Sequence, residues 1–459
     1  MRGNGQSLDM TTGTIWRKMV AFAVPVFLGQ LFQQLYNTAD SVIVGNFSGK
    51  GALAAVSSSG NLIFMMTGFF TGLSLGAGVV ISRYFGAKNF KAMEAAVHTN
   101  IAFGAVCGVL MSVMGIFLAP QMLIVMNTPE DVLPLSVTYF RLYFIGAFFS
   151  LMYNTCMGIL QAVGDSRTPL YYLIFSSGVN IVFDLIFVGP LNMGVAGAAI
   201  ATVLSQAISA AMCFIKLLRS SGPERVVLKC IRFDFSMLRQ IAGQGIPSGI
   251  QNSIISIANV VVQSNINTFG SNAMAGCGAY AKVEGFVFLP ITAFTAAITT
   301  FIGQNLGAKE HERAKRGARF GIICATSIAE LFGVILYFIC PYVIRIFNND
   351  PAVVAIGVSQ MRTECFSFFA LAFAHSVSAV MRGAGRARMP MFTMLACWCI
   401  LRVTYITFAV RAFPVIETIF RAYPLTWGAS CVVFLIYYLK ADWVHTFDRR
   451  EAANAAKAK

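Results

Sequence analysis

Two aspartates stand in sequence that otherwise reads as lipid-spanning. Asp40 closes the stretch Gln33-Gln34-Leu35-Tyr36-Asn37-Thr38-Ala39-Asp40, between the apolar runs Val20 to Leu31 and Val42-Ile43-Val44. Asp184 lies in Asn180-Ile181-Val182-Phe183-Asp184-Leu185-Ile186-Phe187. An acid at the centre of a membrane helix costs roughly 2.5–3.5 kcal/mol, so such a residue calls for a function and a partner. At 3.6 residues per turn, Gln33, Tyr36, Asn37, Asp40 and Ser41 share one helix face. Asn180 and Asp184, four apart, share another. Each aspartate precedes a glycine, Gly45 or Gly189, by five residues, which is about 8 Å from the outer helix end at 1.5 Å per residue. Two carboxyls at one depth on different helices can form a desolvated pair that exchanges a proton near neutral pH. A buried hydrogen-bond knot that only joins helices would use the same residues.

Other candidates are more open. Lys282 and Glu284, next to Tyr280, sit two apart and do not face each other on a helix. They are candidates for lining a cleft or for packing a span, and Glu330, Arg362 and Glu364 are weaker ones. Pro25 stands about four turns before Asp40, where a proline frees a carbonyl and bends a helix. It is therefore a candidate hinge that gives the first span two shapes, and Pro247 repeats the break. The eleven cysteines are scattered, and only Cys397-Trp398-Cys399 is close-spaced. Neither they nor the four histidines, of which only His375 falls in a span, have metal-ligand spacing, so no metal and no cofactor is expected. Without an HExxH set or a Cys/His cluster, no enzyme is expected either. Forty phenylalanines and 21 methionines would suit a cleft that accepts varied apolar surfaces.

The elements that must position these groups follow from composition. Of 459 residues 57% are hydrophobic and 12% charged, with mean hydropathy +0.70. Soluble domains carry about 25% charged residues, so the chain reads as an all-α polytopic membrane protein. Twelve candidate spans of about 20 residues or more run 15–44, 53–82, 94–118, 134–162, 169–189, 194–219, 238–268, 273–305, 315–340, 352–384, 390–411 and 417–440. The first follows Arg17-Lys18, is too long for a signal h-region and has no cleavage motif, so it is expected to be retained. The net charge of +15 does not indicate nucleic acid. Of 34 Lys and Arg, 26 fall in the N-terminal segment, alternate connections and the C-terminal tail, and only Lys50, Arg345, Arg411 and Arg421 fall in the opposite connections. That bias places both termini in the cytoplasm, and the outer loop Asn127-Thr128-Pro129-Glu130-Asp131 is acidic to match.

The chain also repeats itself. Pro25, Asn37 and Phe47 match Pro247, Asn259 and Phe269 at a spacing of 222, and Gly86-Ala87-Lys88 matches Gly307-Ala308-Lys309 at 221. Arg141, Gly164, Arg167 and Pro169 match Arg362, Gly385, Arg388 and Pro390 at the same 221. Six spans per copy give both copies one orientation, hence two parallel six-helix repeats around a central cleft, a plan common in transporters. The expected division is an N-lobe over 1–219, a cytoplasmic linker over 220–237 and a C-lobe over 238–459. The acids are not repeated, because Val262 and Tyr405 answer to Asp40 and Asp184.

With these motifs the chain resembles a multidrug and toxic compound extrusion (MATE) transporter over essentially its whole length. The resemblance is carried by Pro25 to Gly45, Gly86-Ala87-Lys88, Gln161 to Pro169, Ala281-Lys282-Val283-Glu284, Gly303 to Lys309 and Arg382-Gly383-Ala384-Gly385. Asp40, Asp184 and Asn180 resemble the DinF-type branch. That resemblance implies a cation-coupling cluster of Asp40, Asn180, Asp184 and Thr202, with Gln34, Tyr36, Asn37, Tyr139 and Asn154 near the substrate. It also implies cation-driven export of small organic, cationic or amphipathic compounds by alternating access, from a monomer in the inner (plasma) membrane. The NorM-type branch carries sodium-binding acids where this chain has Ile255 and Leu371. The coupling ion is then expected to be the proton, with sodium at the Asp40–Asp184 cluster left open and a flippase for lipid-linked precursors as the other transporter alternative.

Overall fold

The computed structural model describes residues 8–125 and 133–449, without the side chains at 41, 42, 44–65 and 125. The side chains of Ser41 and Lys50 and the acidic loop at 127–131 therefore lie outside the described residues. All regular structure among the described residues is helical. The helices are α1 Ile15–Gly86, α2 Phe90–Val125, α3 Leu133–Ile145, α4 Ala147–Ala162, α5 Arg167–Val188, α6 Gly194–Arg219 and α7 Phe235–Asn267. They continue with α8 Ser271–Gly307, α9 His311–Arg345, α10 Pro351–Glu364, α11 Phe368–Gly383, α12 Arg388–Met394, α13 Arg402–Ala412 and α14 Ile416–Lys440. Short 3-10 turns occupy Leu228–Cys230 and Cys365–Ser367, and a π-helical segment, Leu395–Leu401, joins α12 to α13. Helix satisfies every backbone polar group within its own segment, which lipid demands of a spanning chain.

Ten of these stretches are long and apolar enough to cross a membrane, and the pair α3–α4, bent by 44° at Gly146, makes an eleventh. The chain is an all-α polytopic membrane protein. The first two expected spans differ from expectation in one respect: the connection near 45–52 is helical, and both fall within the 72 residues of α1. At 1.5 Å per residue such a helix measures roughly 108 Å, against a hydrocarbon core of about 30 Å. Its apolar portions therefore count separately, and Ile15–Asp40 alone is one span.

Two compact units account for the chain: Met1–Asp9 with Leu28–Gly249, and Met10–Phe27 with Ile250–Lys459. The first arm of each half thus groups with the other half's helices, and each arm ends two residues beyond its proline, Pro25 or Pro247. The repeat is visible in the backbone. Lys88 and Lys309 both adopt the left-handed conformation, at φ 53° and 62°. Behind them Asn89 N bonds Tyr84 O at 3.0 Å and Glu310 N bonds Asn305 O at 2.9 Å. Gly164 and Gly385 close two further helices at φ 90° and 75°.

In the first unit, α1 and α7 touch backbone to backbone: a Cβ on Gly72 would lie 2.3 Å from Gly249 N, and one on Gly76 2.2 Å from Gly245 N. Its core joins Ala77, Ile81, Met93, Val97, Ile159, Leu160, Cys213 and Ile241. In the second unit the lead-in to α1 is strapped down. Arg313 donates to the carbonyls of Met10, Thr12 and Gly13, and Asn305 Nδ2 donates to Met10 O at 3.2 Å. Gln304 Oε1 accepts Met10 N at 3.0 Å. The repeated Gly303 to Lys309 motif is thereby a clamp as well as a turn.

Candidate functional site

The first unit brings Asp40 of α1 and Asp184 of α5 together as electrostatic neighbours. Asp40 is 9% exposed, Asp184 is fully buried and Asn180 is 1% exposed. Their helices pack through Ile43, Ile181, Val188, Val195, Ala198 and the ring of Tyr139. Asp40 Oδ1, both Asp184 oxygens and both Asn180 amide atoms have no aligned hydrogen-bond partner among the described residues. Buried polar atoms are almost always paired, so this concentration in one place makes the cluster a candidate functional site. Tyr36, Tyr139 and Tyr143 share the electrostatic surroundings of the two acids, and Tyr139 and Tyr143 lie 6.3 Å apart, ring centre to ring centre. Phenol rings around desolvated carboxyls can accept an organic cation through their faces.

The remaining expected residues are placed differently. Thr202 is buried on α6, but its hydroxyl donates to Ala198 O at 3.0 Å, within its own helix. Asn154 is half-buried and donates to Ser150 O at 2.9 Å. Gln34 is half-buried and Asn37 is exposed, while Thr38 Oγ1 donates to Gln34 O at 2.9 Å. Lys282 is exposed on α8. Pro25 is buried in an unbroken α1. Tyr143 and Gln206, which no sequence spacing singles out, also fall here, the hydroxyl of Tyr143 beside the Gln206 side chain.

A second polar cluster, in the other unit, joins Glu284, Tyr280 and Glu364, each noted in the sequence, with Gln360 and Arg402 in an assembly that the sequence does not show. Tyr280 Oη donates to Glu364 Oε2 at 2.6 Å and Gln360 Nε2 donates to Glu364 Oε1 at 2.9 Å. Glu284 faces Tyr280 one turn along α8 and interacts with Arg402 and Glu364. Arg402, 2% exposed, donates to Thr426 Oγ1 at 3.0 Å from Nη2 and lies 4.5 Å from the Tyr423 ring centre and 5.3 Å from that of Trp398. Its parts come from α8, α10, α13 and α14, and no local spacing announces them. Arg362 does not pair with Glu364; it lies over the Tyr337 ring at 5.4 Å. Glu330 accepts Phe369 N at 3.0 Å, at the start of α11. His375 meets Phe288 and Trp398 edge-on.

Two further arrangements have the outline of a reactive site but serve the fold. Glu94, His98 and Cys230 offer ligand atoms within 4.8 Å of one another. His98, however, has Nδ1 at 2.8 Å from Glu94 O within α2 and Nε2 accepting Val227 N at 2.9 Å, so both ring nitrogens are engaged and the second fastens the linker to α2. The letters GxSxG occur at Gly72-Leu73-Ser74-Leu75-Gly76. A nucleophile elbow needs a strand-to-helix turn, whereas these residues are interior to α1, with Ser74 Oγ donating to Phe70 O at 3.3 Å.

Buried carboxyls inside a repeated helical membrane fold are the arrangement of a membrane transporter. The MatE family pattern matches residues 25–186 and again 247–407, beginning at Pro25 and at Pro247. The chain belongs to the MatE family. It is 28% identical to the probable multidrug resistance protein YoeA of Bacillus subtilis over 435 residues, 93% of this chain and 94% of that one. The fold matches a MOP superfamily transporter from Pyrococcus furiosus at TM-score 0.89 and 22% identity, over 94% of this chain and 97% of that one. It also matches a MATE structure in a bent conformation at TM-score 0.88 and 22% identity, over 99% and 100%.

Proposed function

We propose that this protein is a multidrug exporter that exchanges protons for small organic, cationic or amphipathic compounds by alternating access. The membrane is the plasma membrane, with both termini cytoplasmic, and the working form is a monomer of two six-span lobes around a central cleft. The multidrug resistance name of the relative above supports the substrate class, and the 26 to 4 distribution of basic residues supports the orientation. One observation carries the coupling: the Asp40 and Asp184 carboxyls are buried beside one another, and among the described residues three of their four oxygens have no partner outside the pair. In the cycle the pair takes up protons from outside, the neutral form of the site releases substrate, and proton loss inward restores the charge that attracts the next cation. A membrane potential contributes about 2.3 kcal/mol per charge per 100 mV, roughly a fiftyfold substrate gradient at 1.36 kcal/mol per decade.

The same set of oxygens, with Asn180 Oδ1, also suits a hard cation such as sodium. Reconstitution in proteoliposomes separates the two ions. An imposed pH gradient is expected to drive ethidium efflux with sodium absent from both sides. Efflux that follows a sodium gradient and ignores pH would overturn proton coupling. Asp40→Asn and Asp184→Asn are each expected to reduce efflux to background while inserting normally, and full activity in the double variant would remove the site from the mechanism.

A further inference from the structure

The second unit holds buried acids that the Asp40–Asp184 exchange does not use. Glu364 is fully buried, and each of its oxygens accepts from a protein donor, Tyr280 Oη at 2.6 Å and Gln360 Nε2 at 2.9 Å. That is the surrounding of an ionised carboxylate. Glu284 lies four residues after Tyr280, on the same face of α8, and its carboxyl meets the same phenolic oxygen. A phenol has one proton to donate, and here it is donated to Glu364. The oxygen of Tyr280 is left as an acceptor, so Glu284 can bond it only as a protonated acid.

Charge balance leads to the same assignment. Arg402 is the cation of the cluster, fixed by Thr426 and by the rings of Tyr423 and Trp398. Among the described residues, the other titratable groups that face the cluster are Cys277, Cys399 and Tyr423, none of them cationic. One guanidinium compensates one carboxylate. A second bare carboxylate in this setting would be strongly unfavourable, and a proton removes the charge.

We propose that Glu284, Tyr280 and Glu364 form a hydrogen-bonded relay that holds one exchangeable proton in the second unit, with Arg402 as its fixed counter-charge. In the transfer the Glu284 O–H bond breaks as its proton reaches the phenolic oxygen. The phenol's own O–H bond breaks in the same step, and a bond forms between that proton and Glu364 Oε2. The negative charge moves from Glu364 to Glu284 and nothing is oxidised or reduced. Glu284 is half-buried whereas Glu364 is fully buried, so Glu284 is the more accessible end of the relay. The relay goes beyond the Asp40–Asp184 reading and does not depend on it.

Infrared spectroscopy of the purified protein tests the relay. In the Asp40→Asn/Asp184→Asn background, a carbonyl-stretch band of one buried carboxylic acid is expected to persist, to shift in D2O, and to disappear in Glu284→Gln. Tyr280→Phe keeps the acid but removes its acceptor, and is expected to move the band to the position of an unbonded acid. Arg402→Met removes the counter-charge and is expected to double the band, while Arg402→Lys keeps it single. Should Glu284→Gln fail to fold, Tyr280→Phe and Glu284→Asp carry the test, the latter expected to weaken the bond and shift the band. No such band in the Asp40/Asp184 background, or a band that Glu284→Gln and Tyr280→Phe leave in place, would overturn the relay.

Discussion

At the scale of single residues, the unit 1 site divides into groups with free atoms and groups without. Asp184 and Asn180 are buried with unpartnered atoms, whereas the hydroxyl of Thr202 is already donated to Ala198 one turn back. Thr202→Val, which keeps the shape and removes that donor, is therefore expected to change efflux by no more than about threefold, or about 0.6 kcal/mol. Asn180→Leu should cost far more, and initial efflux rates at matched protein density compare the two; equal losses would return Thr202 to the coupling set. The acids of this site were legible because a carboxylate in an apolar run is anomalous by composition alone. Thr202 entered only through family resemblance, which records a position and not where its hydroxyl points. The members of the relay were visible as candidates, but their connection was not. Tyr280 and Glu364 are 84 positions apart, and Arg362 and Glu364, two apart in sequence, are directed by the fold to different partners.

At the scale of elements, glycine patterns decide which helices approach closely. Gly245 of α7 meets the backbone of α1, with a Cβ there lying 2.8 Å from Leu73 O, whereas Gly243, two residues earlier, would meet nothing within 4 Å. Gly245→Ala is expected to destabilise by about 1–3 kcal/mol, the usual cost of overpacking. Gly243→Ala should gain up to about 1 kcal/mol from helix propensity. Thermal unfolding in detergent resolves the pair, and equal shifts would mean that α1 and α7 do not pack through these glycines. The last turn of the chain supplies a pH test outside the membrane. Slight burial alone would push the Asp442 carboxyl up, but hydrogen bonds from His445 and the charges of His445 and Arg449 hold it below the usual carboxylate range. A lowered folded-state pKa gives stability that is complete above the unfolded value and lost as pH falls through the folded one. Because Asp442 is 36% exposed, the effect is at most about 1 kcal/mol after screening. Proteolysis of the tail beyond Lys440 should rise as pH falls below about 4, and Asp442→Asn should show the acid behaviour throughout. Helix positions were legible from hydropathy because lipid permits little else. The bend at Gly146, the π segment at Leu395–Leu401 and the unbroken α1 were not, since backbone continuity depends on neighbours rather than on apolar length.

At the scale of the whole molecule, one family pattern occurs twice, over residues 25–186 and 247–407, and each compact unit takes in the first arm of the other copy. Residues 10–27 belong with the second unit and α7 as far as Gly249 belongs with the first. Each crossing point follows a proline by two residues. Pro25 cannot bond the carbonyl of Ala21, nor Pro247 that of Gly243, so each helix lacks an internal bond just before the chain passes from one unit to the other. A helix that must serve two units in more than one state is best weakened at that point. Pro25→Ala restores the bond and favours the straight form by roughly 3 kcal/mol. A shift of that size would change a two-state ratio more than a hundredfold, so a cycle that visits both shapes should stall. Efflux in proteoliposomes is expected to fall at least tenfold while insertion is normal and thermal stability is equal or higher. Pro25→Gly also restores the N–H but leaves the helix soft, and is expected to recover part of the rate. Wild-type turnover in Pro25→Ala would show that α1 keeps one shape through the cycle, and coupling at Asp40 would then have to act through the hydrogen bonds and charge of the site alone.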